Sequence, residues 1–94
     1  MAGSDLNVAF TSTTGGTQTL FGGPTRLKAF IITPTASAGT VVFKDGGVSK
    51  FTVPIAASVS SGPVTINLPS DGVKFGTSLQ ATLTDVGGIT TFFA

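Results

Sequence analysis

Apolar and polar residues alternate along short runs of the chain. Leu6, Val8 and Phe10 alternate with Asn7, Ala9 and Thr11, the period-two pattern of a half-buried strand. Val64, Ile66 and Leu68 alternate with Thr65 and Asn67, and Leu79, Ala81 and Leu83 with Gln80, Thr82 and Thr84. Further strands are expected at 18–21, 39–44, 49–53, 73–75 and 89–93. Segment 26–33 is different: Leu27, Ala29 and Ile31 fall on one face, while Phe30 and Ile32 share the other with Lys28. Apolar residues on both faces predict a central strand covered on both sides. Helix-forming residues nowhere cluster at helical spacing.

Punctuation supports the same reading. Thirteen Gly and five Pro break the sequence every eight to twelve residues or so, the rhythm of a small sandwich or barrel. Without helices to carry parallel crossovers, pairing should be antiparallel. The expected fold is all-β, a small antiparallel β-sandwich or jelly-roll-like barrel of about eight short strands. It should form a single domain over residues 1–94, with residues 1–12 as an N-terminal arm or edge strand. Pro54 cannot donate to a ladder, so its strand ends there or lies on an edge. The expected core is Leu6, Val8, Phe10, Leu27, Ile31, Val41, Phe43, Phe51, Val53, Ile66, Leu68, Phe75, Leu79 and Leu83.

Acidic-plus-glycine clusters recur at Asp45-Gly46-Gly47, Ser70-Asp71-Gly72 and Asp85-Val86-Gly87-Gly88, each between two strand-like runs. Asp bonds its own backbone and tolerates left-handed conformations, and Gly adopts positive φ freely, so these clusters read as turns. A calcium loop is the sharper alternative. Calcium wants six to eight oxygens, however, and no two of these Asp residues sit at a ligand-like short spacing. No helix follows the glycines to form a phosphate cradle.

Composition narrows the chemistry. The 94 residues include no Cys and no His, which removes thiol catalysis, disulfides and Cys/His zinc sites. Glu is absent as well, so a serine nucleophile would need Lys or Asp as its base, and no enzyme is expected. Formal net charge is +1, which lacks the basic footprint of a nucleic-acid binder. The start of the chain has neither the basic region nor the apolar core of a signal peptide, and no apolar run is long enough to span a membrane. A glycan-binding module is a rival reading by fold, but the chain has no Trp or Tyr on which a sugar ring would stack. Only 10% of residues are charged, so part of the surface is expected to be hidden against other copies or a larger assembly.

The run RLKAFIITPTASAGTVVFKDGGVSKFTVPI, followed by INLPSDGVKFGTSLQATLTDVGGITTFF, resembles a group of very short structural proteins of tailed bacteriophages. The shared elements are the strand opening at Arg26-Leu27, the segment from Gly39 to Phe43 leading into Asp45-Gly46-Gly47, and the segments 68–75 and 79–84. An aromatic C-terminal strand completes them. Members usually end in Phe-Tyr-Gly or similar, whereas this chain ends Phe92-Phe93-Ala94. The resemblance implies a capsid decoration, or cement, protein on the outside of the head shell, made in the host cytoplasm. Its implied partners are further copies of itself, as a homo-trimer, and the major capsid protein or other virion proteins. No cofactor, nucleic acid or membrane is implied. A tail, fibre or adaptor component shares every feature. Consecutive Phe92 and Phe93 must point to opposite sides of their strand, so with Leu6, Val8 and Phe10 they are the expected assembly contacts.

Overall fold

The computed structural model describes residues 7–12, 14–57, 63–68 and 71–94. Leu6 and the proposed arm before Asn7 lie outside them. Nine strands are present and no helix is found among the described residues: β1 (Asn7–Thr11), β2 (Thr17–Phe21), β3 (Thr25–Pro34), β4 (Gly39–Asp45), β5 (Val48–Ile55), β6 (Val64–Asn67), β7 (Val73–Phe75), β8 (Leu79–Thr84) and β9 (Val86–Phe93). They form two antiparallel sheets. One has the order β1-β9-β3-β6, with β7 also paired to β3, and the other has the order β2-β8-β4-β5.

The connectivity is that of a folded hairpin. β1 pairs with β9, β2 with β8, β3 with β6 and β7, and β4 with β5. These nested pairs wrap over one another, and β3·β9 and β4·β8 contacts close the two sheets. Nested pairing with most connections crossing between sheets is the jelly-roll form of the β-sandwich. β6 and β7 act as one interrupted strand beside β3.

Between the sheets, Phe30 and Phe43 meet with ring centroids 4.9 Å apart, and Phe43 stacks on Phe51 at 4.9 Å. Leu27, Ile32, Val41, Phe75, Leu79, Ala81, Leu83 and Ile89 complete a core without solvent contact. Each such Phe or Leu contributes about 1.5–3 kcal/mol by leaving water. Phe51, Val53, Ile66 and Leu68 pack partly buried against it. The buried Thr91 hydroxyl donates to the Ala9 carbonyl at 3.1 Å, tying β9 to β1.

Four expectations are corrected. Val8 and Phe10 are 60% and 64% exposed and do not belong to the core. Their strand does alternate, but its apolar side faces outward. Ile31 is half-buried, and Phe30 and Ile32 take its place inside. The cause is a bulge: Leu27 pairs with Phe93 and Ala29 with Phe92, so Lys28 is an extra residue and the strand phase shifts by one. Leu27 before the bulge and Phe30 after it then face the same core. β3 is central in its sheet, but the core lies on one side of it only, leaving Ala29 and Ile31 half-buried on the other. Finally, Gly87 and Gly88 are not a turn but lie within β9. The chain bends from one sheet to the other at Asp85, which adopts φ 52°, a conformation Asp tolerates better than most residues.

The other two glycine turns stand where the sequence puts them. Gly46 and Gly47 have φ 59° and 90°, the two positive angles of a type I′ hairpin between β4 and β5. Gly72, beside Asp71, has φ 82°. β5 is an edge strand and carries Pro54, as a proline in a sheet requires.

Candidate assembly surface

The register places three of the expected contact residues on one face. Val8 is opposite Phe92, and Phe92 is opposite Ala29; Phe10 is opposite Thr90, and Thr90 is opposite Ile31. Opposed residues share a face, and residues two apart along a strand share it too. Val8, Phe10, Phe92, Ala29 and Ile31 therefore form one apolar area on the outer side of the five-stranded sheet, with Thr90 among them. The Phe10 ring lies over Gly88, where a Cβ would come within 3.0 Å of it. That glycine lets the exposed ring lie flat against β9.

Phe93 is not part of this surface. Period two sends it inward, where it is 3% exposed and meets Phe21 with ring centroids 5.2 Å apart. Ile31 was not among the expected contacts. It reaches the outer face only because the Lys28 bulge changes the phase of β3, and nothing local in the sequence marks that bulge.

β1 ends the sheet on this side. The other edges carry the usual obstacles to further strand pairing. β5 has Lys50 and Pro54 and a register shift opposite Phe43, β2 has a register shift between Thr19 and Phe21, and β6 is only four residues long. β1 pairs with β9 over five residues in unbroken register and carries no charge or proline.

The opposite outer face, on the four-stranded sheet, is chemically different. Thr17 and Thr82 share a hydroxyl hydrogen bond at 2.9 Å, Lys44 Nζ donates to Thr17 Oγ1 at 3.3 Å, and Gln80 Nε2 donates to Thr19 Oγ1 at 3.1 Å. Its polar groups bond largely to each other. A groove of about 640 Å³ at the end of β5 is an open depression lined by Gly39, Thr40, Pro54, Ile55, Ala56 and Thr84, with no charged side chain among these residues.

Asp45 is committed to structure. Its Oδ1 accepts the amides of Thr77 and Ser78 at 2.8 and 3.1 Å, and its Oδ2 accepts that of Gly76 at 2.9 Å. These amides, with a smaller contribution from Lys50, hold the carboxyl below its ordinary value of 3.8. Among the described residues no three His, Cys, Asp or Glu side chains gather as metal ligands would. Asp71 sits at the turn before β7 and Asp85 at the turn before β9, far apart in register along β3.

Comparison with protein-family models, with curated protein sequences and with solved structures returns no match.

Proposed function

We propose that this chain is a non-enzymatic structural protein of a phage virion, a capsid decoration protein that binds the outside of the head shell through the outer face of its five-stranded sheet. The observation that carries the contact surface is the convergence of Val8, Phe10 and Phe92 with Ala29 and Ile31 on one face, bordered by the edge strand β1 in unbroken register with β9. The virion setting comes from the sequence resemblance. An apolar face at the edge of a sheet serves cementing: burying it across neighbouring capsomers stabilises the shell by mass action, because the decorated state alone gains the contact. On this reading the protein acts as copies of itself, as a trimer, with the major capsid protein as partner.

The test is co-sedimentation with purified head shells that lack the protein, alongside purified tails. Saturable binding to shells, with a raised shell disruption temperature, supports decoration. The paired substitutions Val8→Ser and Phe10→Ser should weaken that binding at least tenfold while the circular dichroism spectrum is unchanged. Binding to tails or fibres alone would move the protein to that part of the virion, and binding to neither would overturn the reading.

A further inference from the structure

Three of the five cationic residues lie at one end of the same outer face. Arg26 on β3 is directly opposite Lys74 on β7, and both are exposed. Lys28 is the bulged residue next to them, lying with Ala29 between the inward-facing Leu27 and Phe30. Like charges directly opposite each other on a sheet destabilise the pair. None of the three has an ion pair with a described residue, and Asp71, at the turn leading into β7, makes none with them. The sheet thus holds, beside its apolar area, a cluster of positive charge with no side-chain ion pair among the described residues; the Ala94 main chain, paired with that of Arg26, lies next to it.

We propose that this end of the sheet docks on a protein surface presenting carboxylates, with Arg26, Lys28 and Lys74 as the anion-binding rim and Phe92, Ala29 and Ile31 as the apolar centre. An apolar centre with a charged rim is the ordinary construction of a protein–protein contact. The Arg26 guanidinium offers the two-pronged donor set that matches a carboxylate. A nucleic acid would ask for a longer basic track than three cations on a nearly neutral chain. A lipid surface would ask for apolar side chains that protrude, whereas Ala29, Ile31 and Phe92 are half-buried on a pleated face. The inference rests on the assembly reading only in taking a protein as the partner. A shell could be bound through apolar contact alone, so failure here leaves decoration standing.

The experiment is an amide chemical-shift titration of the intact chain with three probes: a short peptide of repeated Glu-Glu-Leu units, a single-stranded oligonucleotide of equal charge, and vesicles containing phosphatidylglycerol. The peptide should shift Arg26, Lys28, Lys74 and their neighbours on β9. Its affinity should fall about tenfold between roughly 50 and 500 mM salt, as the screening length shortens. Arg26→Glu, Lys28→Glu and Lys74→Glu together should abolish those shifts. This variant keeps the same like-charge repulsion, so its fold should be unaffected, and the swap Arg26→Lys with Lys28→Arg and Lys74→Arg should keep binding. Tighter binding of the oligonucleotide or the vesicles, shifts that map elsewhere, or a charge-reversed variant that still binds the peptide would each overturn the proposal.

Discussion

The backbone amide of Thr77 donates to the carboxylate of Asp45 at 2.8 Å, across 32 residues of chain. With the amides of Gly76 and Ser78 on the same carboxylate, this pins the β4–β5 hairpin to the loop between β7 and β8. The Gly46 amide returns the link by donating to Ser78 Oγ at 3.1 Å, and the Gly47 amide donates to Gln80 Oε1 at 2.7 Å. A hairpin turn thereby closes one end of the sandwich.

Acid should loosen this clasp. The folded protein holds the Asp45 carboxyl below 3.8, and unfolding returns it to that value, so the unfolded chain takes up the proton more readily. The stabilisation is complete above the unfolded value and is lost as pH falls through it towards the lower folded value. The urea midpoint should therefore drop as pH falls through the ordinary carboxyl value of 3.8 and below it. Asp45→Asn should lower the midpoint at neutral pH and flatten the acid limb. Parallel curves for the two proteins would show that Asp45 does not drive the acid response.

Two left-handed glycines should differ sharply in their tolerance of a side chain. Gly47, at φ 90°, has open space where a Cβ would go, and Gly72, at φ 82°, would press a Cβ into the Leu27 carbonyl oxygen. Gly47→Ala should cost only the backbone strain, about 1 kcal/mol, while Gly72→Ala should cost more than about 2 kcal/mol because β3 must also move. Urea unfolding at unchanged slope measures both. Equal costs would mean that Gly72 is not held against β3.

Much of this architecture is written locally in the sequence, and the misreadings share one cause. Asp45-Gly46-Gly47 is legible because positive φ at two successive residues is a local demand that glycine meets. Gly87 and Gly88 look the same in sequence, yet they are glycine for a tertiary reason: Thr33 packs on one and the Phe10 ring on the other. The alternation of β1 and of β9 groups Val8 with Phe10 and separates Phe92 from Phe93, and that much could be read in advance. Which side of β1 faces the core could not, because that depends on where the second sheet lies. The phase of β3 was equally hidden, since the extra residue at Lys28 is defined only by the partner strand.

The placement of the phenylalanines can be checked directly. Phe43 has no solvent exposure and touches rings on both sides, so Phe43→Ala should cost about 3–5 kcal/mol through lost burial and the cavity left behind. Phe10 is 64% exposed, and Phe10→Ala should cost less than about 1 kcal/mol. A Phe10 variant as damaging as the Phe43 one would place its ring in the core and remove it from the proposed assembly face.

The bulge in β3 allows a deletion that would be ruinous elsewhere in the strand. Removing Lys28 joins Leu27 to Ala29, and Leu27, Ala29 and Phe30 then run in, out, in, in regular alternation opposite Phe93 and Phe92. The losses are the Lys28 carbonyl that accepts the Leu68 amide at 3.0 Å, worth about 1 kcal/mol, while repulsion from Arg26 and Lys74 is relieved. Removing Ile31 instead, from a stretch in regular register, would turn one part of the strand inside out relative to the other. The Lys28 deletion should therefore unfold cooperatively at a slightly lower urea concentration, and the Ile31 deletion should show no cooperative transition. Equal damage from the two would mean that Lys28 is not the extra residue, and the phase of β3 would need another explanation.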